Sequence, residues 1–332
     1  MNAPLRVTAS APGKIILFGE HFVVFGEPAI ACAVDLRAKV SVEKSKEKVI
    51  HIEALDLGCE ATFPIKGGKY GFKGETFRLR PIYTAAAETL DRIGEELGLN
   101  ISVMSKIPVA SGLGSSAAIA VATVKAVSEL FNASLPDREL FNLALEAERI
   151  VHANPSGIDP AVAMHGGVIM YSKRNGVRRL NVKGHIPIIV GDTGVRRSTG
   201  KLVQSVGKLR DIYPEIVDPI IKLGGELCLK ASKLLEVEDL KGLGSLMNIN
   251  HGLLSSVGVS SLELERLVYR ARGAGALGAK LTGAGGGGCI IALSTPDRAQ
   301  HIAERLREVC REVYISQITS EGVKIDEKTC GT

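Results

Sequence analysis

The stretch "IPVASGLGSSAAIAVATVKAV", Ile107 to Val127, runs from a proline-led loop through two glycines and two serines into an Ala/Val-rich segment. Gly112 and Gly114 remove side chains where the backbone must turn tightly, and Ser115 and Ser116 are expected at the cap and first turn of a helix. A helix entered this way directs unsatisfied N–H groups and the positive end of its dipole outward, which makes an anion site. Phosphate is the natural guest. The serine hydroxyls then serve as phosphate donors or as magnesium ligands.

Working outward from this loop, alternation of apolar and polar residues between 5 and 55, as in KVSVEKSKEKVIHIEAL, predicts strands and hairpins. Helices are expected near 80–97 and 137–152, and strands near 99–105 and 167–173. The first half therefore reads as α+β, not as a repeating βαβ series. Past the run HIPIIVGDTG the chain is expected to be mostly helical from about 197 to 273. A Gly-rich turn, an apolar strand (CIIALS), a helix at about 296–312 and a last strand (EVYISQI) complete it. Two domains are expected, 1–184 and 185–332.

Composition narrows the function classes. Of 332 residues, 45% are hydrophobic and 23% charged, which is ordinary for a globular chain with a sizeable core. No apolar run reaches the roughly 20 residues of a membrane span, and the opening MNAPLRVTASAPGK lacks the apolar segment of a signal peptide, so a cytoplasmic location is expected. The net charge of +5 is spread along the chain, and 4% aromatics with no Trp give little stacking surface, which argues against nucleic acid as a partner. An anionic small substrate fits. The six cysteines form no C-x-x-C pair and are read as small buried hydrophobes, not metal ligands or disulfides.

Three further groupings carry chemistry. In "APGKIILFGEHFVVFGEPAIACAVD", residues 11–35, Lys14, Glu20 and His21 bracket one apolar strand. In "ALEAERIVHANPSGIDPAVAMHGG", residues 144–167, Glu148 lies on a predicted helix and Asp159 follows the break made by Pro155 and Gly157, so the two carboxylates can converge on one cleft. One could hold Mg²⁺ while the other accepts a proton. In "GAKLTGAGGGGCIIAL", residues 278–293, six glycines within eleven residues imply close backbone approach to a nucleotide or to the first domain's loop. Two rival phosphate motifs fit less well. The Walker pattern is absent, and the dinucleotide pattern G-x-G-x-x-G/A matches weakly at Gly112, Gly114 and Ala117 and again at Gly283, Gly285 and Gly288.

Taken in order, PGKIILFGEH, PVASGLGSSAA and KLTGAGGGGC resemble the three motifs of the GHMP kinases, the superfamily of galactokinase, homoserine kinase, mevalonate kinase and phosphomevalonate kinase. Within it, GEH at Gly19–His21, NPSGID at Asn154–Asp159, DTGVRRST at Asp192–Thr199 and NHGLLSSVGVS at Asn250–Ser260 resemble the mevalonate kinases of archaeal type. The resemblance implies a two-domain α+β fold: an N-terminal ATP-binding domain like ribosomal protein S5 domain 2, and a ferredoxin-like C-terminal domain. It implies ATP over Pro108, Ala110, Ser111, Gly112, Leu113, Gly114, Ser115, Ser116 and Ala117, with Mg²⁺ on Glu148 and one of Ser115 and Ser116. Asp159 is then the catalytic base and Lys14 its partner. Mevalonate is expected against Glu20, His21, Asp159, Arg196 and Thr199, with Gly283 and Ala284 close by. The implied reaction is ATP-dependent phosphorylation of the 5-hydroxyl of (R)-mevalonate, in isoprenoid precursor biosynthesis; another small-molecule kinase of the superfamily is the alternative. A homodimer is common in relatives.

Overall fold

The structure, a computed structural model, describes residues 4–65, 74–108, 112–151, 156–182, 186–195 and 199–330. In chain order the elements are β1 (Pro4–Phe18), β2 (Ala29–Ser45), β3 (Val49–Ala54), β4 (Cys59–Pro64), α1 (Arg80–Ile93), β5 (Gly98–Ser105), α2 (Ser115–Leu130), α3 (Asp137–Val151), α4 (Ile158–His165), β6 (Val168–Ser172) and β7 (Gly176–Leu180). There follow β8 (Pro187–Asp192), α5 (Thr199–Ile212), α6 (Pro214–Glu236), α7 (Leu240–Ser256), α8 (Leu262–Gly273), β9 (Gly278–Leu281), β10 (Cys289–Leu293), α9 (Ala299–Arg307), β11 (Glu312–Gln317) and β12 (Lys324–Cys330).

The first sheet runs β12-β1-β2-β5-β3-β4, with β6 on β2 and β7 on β6. Val40, Val42, Ile50, Ile52, Ile101 and Val103 alternate inward, while the intervening Ser41, Glu43, His51, Glu53, Asn100 and Ser102 line a polar groove on the other side. One face is therefore packed and the other wet, as period-two patterning dictates. The packed face receives α1, α2 and α4. Helix α2 is buried almost throughout, and its run of alanines and valines lets it lie close to β1 and β2. The pairs are antiparallel except β3 with β5. A dinucleotide-binding fold needs an open, mostly parallel sheet, so that rival reading of the glycines is set aside.

The second sheet runs β11-β8-β10-β9, antiparallel throughout. In chain order this is 4-1-3-2, the ferredoxin-like βαββαβ arrangement, with α5–α8 filling the first crossover and α9 the second. A second core forms around Ile189, Ile290, Ala292 and Leu281 with α8 and α9.

Four details depart from the expectations. The expected last strand, β11, is followed by β12, which returns to pair antiparallel with β1. The tail therefore belongs to the first sheet, and a division at 184/185 describes only the residues up to β11. Part of what read as a Gly-rich turn is strand β9. Helix α9 spans only Ala299–Arg307. Of the cysteines, all free, Cys32, Cys228 and Cys289 are buried, but Cys59 and Cys310 are partly exposed and Cys330 is exposed. No helix among the described residues is long and apolar enough to cross a membrane.

Candidate active site

Lys14 lies on β1, next to a register shift at Pro12/Gly13. Its backbone N–H donates to Leu113 O at 2.8 Å, which ties β1 to the glycine loop before α2. The side chain, 7% exposed, extends along that loop: Nζ donates to Gly112 O at 3.3 Å and stands 3.0 Å from Asp159 Oδ2. Asp159 is the second residue of α4, where a carboxylate is favoured by the helix dipole, and it keeps part of its surface open.

Gly114, at φ 73°, occupies the N-cap of α2, so Ser115 and Ser116 are the first two helical residues and the cap itself is not a serine. Glycine is required there. The φ is left-handed, and a Cβ would stand 3.3 Å from Lys14 Cβ and 3.6 Å from Asp159 Oδ2. Among the described residues no side chain caps this end, which leaves its leading N–H groups beside the Lys14–Asp159 pair. The Ser116 hydroxyl is buried and finds no partner among the described residues. Glu148, on the neighbouring α3, is buried as well. A hydroxyl and a carboxylate are hard oxygen donors of the kind Mg²⁺ takes beside phosphate. No cluster of three or more His, Cys, Asp or Glu forms a metal site among the described residues.

The second glycine loop, 282–288, closes the site from the other domain. Gly285 and Gly287 have positive φ and press their backbones onto Val259 and Val195, where a Cβ would come within 2.1 and 2.5 Å of carbonyl oxygens. Thr282 accepts from Ile16 N at 3.2 Å and donates to Ile16 O at 3.0 Å. A Cβ on Gly283 would lie 4.0 Å from Gly112 Cα, so the two glycine loops face each other. His21, itself at φ 62°, donates from Nε2 to Ala284 O at 2.7 Å. Burial pushes its imidazole below the ordinary histidine range, against the opposing pull of the Ala284 bond and of Glu20.

The structure thus brings together Lys14, Asp159, Gly112–Ala117, His21, Gly283 and Ala284. Glu20, expected at the substrate, is instead sealed in. Its carboxylate takes the Lys280 ammonium on Oε1 and the Asn250 amide on Oε2, and neither Glu20 nor Lys280 has any exposed side-chain surface. Burial pulls the Lys280 ammonium down, and Glu20 opposes that shift. Ala110, Ser111 and Arg196 lie outside the described residues, as does the Thr199 side chain.

Two family models match the chain: the GHMP kinase N-terminal domain over residues 80–167 and the GHMP kinase C-terminal domain over residues 231–312. A mevalonate kinase of Thermococcus sibiricus is 43% identical over 97% of this chain and 99% of its own length. The chain belongs to the GHMP kinases.

Two solved structures carry the same fold as this GHMP kinase. The Methanococcus jannaschii mevalonate kinase matches with TM-score 0.83 and 29% identity, covering 94% of this chain and 98% of its own. The L. major mevalonate kinase in complex with R-mevalonate matches with TM-score 0.84 and 29% identity, over 97% and 100%. The protein is therefore a two-domain kinase, an enzyme that uses ATP.

Sequence reasoning passed over several residues that shape this GHMP kinase. Lys280 and Asn250 partner Glu20 from 260 and 230 residues away. His251 accepts Leu281 N on Nδ1 at 3.3 Å and meets Glu265 from Nε2 at 3.2 Å, which fixes α7 to β9 and α8. Each lies in a quoted motif, NHGLLSSVGVS or KLTGAGGGGC. Polar residues inside otherwise buried segments were the available signal.

Proposed function

We propose that this kinase phosphorylates the 5-hydroxyl of (R)-mevalonate. The observation that carries the reading is the Lys14–Asp159 pair, 3.0 Å apart and set against the glycine N-cap of α2. It joins a proton acceptor, a cation and a phosphate-binding helix end in one place. The likeness to mevalonate kinases over nearly the full chain supports the choice of acceptor.

Phosphoryl transfer to an alcohol asks mainly for positioning and charge neutralisation. Here the N–H groups at the start of α2 cradle the nucleotide phosphates. Asp159 accepts the hydroxyl proton. Lys14 holds the Asp159 carboxylate in place and faces the charge that develops during transfer. The residues present fit Mg²⁺: Glu148 and the Ser116 hydroxyl, without a partner among the described residues, would hold it, and the ion would supply charge neutralisation on the phosphate oxygens. His21, with its proton on Nε2, fixes the second glycine loop against the acceptor end of the cleft.

Incubation of the chain with ATP and Mg²⁺ against mevalonate, phosphomevalonate, homoserine and galactose, with ADP release as the readout, tests the reading. Turnover with mevalonate above the others is expected. Preference for another acceptor would move the protein to a different branch of the family.

A further inference from the structure

The tip of the β1–β2 hairpin, residues 19–28, is fastened into the second domain. Phe22 is fully buried in the second core, and its ring occupies the space where a Cβ on Gly224 of α6 would sit, 2.1 Å away. Gly225 makes the same room for the Glu27 carboxylate, 1.8 Å from a would-be Cβ. Cys228 donates to Pro28 O at 3.0 Å. In the middle of these contacts stands the Glu20–Lys280 ion pair.

Such a pair is a weak source of net stability. Desolvating both ions offsets their attraction, and apolar side chains of similar volume do as well or better, whereas deleting one partner strands a buried charge. What the pair supplies is a single geometry. Two residues hang on it. His21 follows Glu20 directly and holds a left-handed φ of 62°, which a non-glycine residue keeps only when its surroundings over-determine it. Ala284, which accepts the His21 proton, lies four residues beyond Lys280 on the same β9-to-loop segment. Glu20–Lys280 and His21–Ala284 therefore form a two-point link between the hairpin tip and the second glycine loop. The first glycine loop is fixed separately, through Lys14 N and Leu113 O.

We infer that Glu20 and Lys280 are positioning residues for the acceptor half of the site: their pairing sets the His21 turn and the 283–288 loop against Lys14 and Asp159, and so governs acceptor affinity and turnover while leaving nucleotide affinity alone. The inference rests on the reading of mevalonate as acceptor given above.

Steady-state kinetics and thermal melting of the full chain test it in four forms: wild type, Glu20→Gln, Lys280→Met, and the double variant Glu20→Leu with Lys280→Met. Each variant is expected to raise the mevalonate KM roughly tenfold or more and to lower kcat, since small misplacements at a reacting centre are costly. The ATP KM is expected to stay at the wild-type value. The double variant strands no charge and leaves only the Asn250 amide without its acceptor, so it is expected to melt closer to wild type than either single variant and still keep the raised mevalonate KM. Should a single variant fail to fold, the double carries the test. Wild-type kinetics in a double variant that melts normally would overturn the inference, and so would an equal rise in both KM values. Amide hydrogen exchange over residues 282–288 reads the positioning without any acceptor: faster exchange in the double variant supports it, and unchanged exchange overturns it. Faster exchange combined with no mevalonate turnover in the wild type would remove the acceptor assignment alone.

Discussion

The ammonium of Lys14 stands 3.0 Å from Oδ2 of Asp159, although 144 residues separate them and they arrive on different elements, a bulged strand and the first turn of a short helix. Gly114 lies against both at a left-handed φ of 73°, where a Cβ would stand 3.3 Å from Lys14 Cβ and 3.6 Å from the carboxylate. Carboxylate, ammonium and helix end are thus packed together.

Asp159→Asn keeps the size and the hydrogen-bonding reach of the side chain but removes the proton acceptor. Turnover is expected to fall about 10² to 10⁴-fold, the span of general base contributions. ATP binding, followed by fluorescent nucleotide displacement, is expected to stay near wild type. Normal turnover in this variant would exclude Asp159 as the base.

Glu148→Gln retains the shape of a buried side chain while removing its charge. The Mg²⁺ concentration for half-maximal turnover is expected to rise. An unchanged magnesium titration would count against a ligand role, because a neutral amide is a weaker donor to a hard cation than a carboxylate.

Gly285→Ala forces a Cβ to 2.1 Å from Val259 O at a backbone φ of 77°. Strain and overpacking together are expected to cost at least about 2 kcal/mol, seen as a lower denaturation midpoint. Gly252, which has open space around it and no left-handed φ, is the matched control, and its alanine variant is expected to fold as stably as wild type.

Acidification is expected to weaken the fold through His21 and His251. Burial lowers both below the ordinary value of 6.5 in the folded state. Below 6.5 and above the folded values, the unfolded chain binds protons that the folded chain does not, so the stability that these two histidines contribute falls as pH drops through that window and levels off beneath it. The slope is at most about 1.4 kcal/mol per pH unit for each histidine. Melting followed from neutral to mildly acid pH is expected to show the decline, and His251→Gln is expected to flatten it. A pH-independent melting temperature would contradict the assignment.

The three glycine-bearing motifs and their order were legible in the sequence, because loops that bring backbone close to phosphate or to another loop leave dense local signatures. Strand β12 was not. Its residues KIDEKTC are mostly exposed and polar, and only pairing with β1 makes them a strand. Strand β9 was hidden by its four-residue length and the glycines after it. Helix α4 was not legible either: the break at Pro155 and Gly157 reads as a loop carrying Asp159, whereas Pro160 sits in a first helical turn, where it breaks no hydrogen bond. Glu20 read as a substrate contact because a carboxylate beside a histidine at a strand end gives no sign of a lysine 260 residues away. Long-range charge pairing leaves no periodicity behind.

The most direct test follows phosphorus NMR of ATP, Mg²⁺ and (R)-mevalonate with wild type and Asp159→Asn side by side. Growth of a phosphate monoester signal matched by ADP, in the wild type and far slower in the variant, is the predicted result. Equal rates in the two proteins, or ADP formed with no new monoester, would contradict a phosphoryl transfer site built on Lys14 and Asp159.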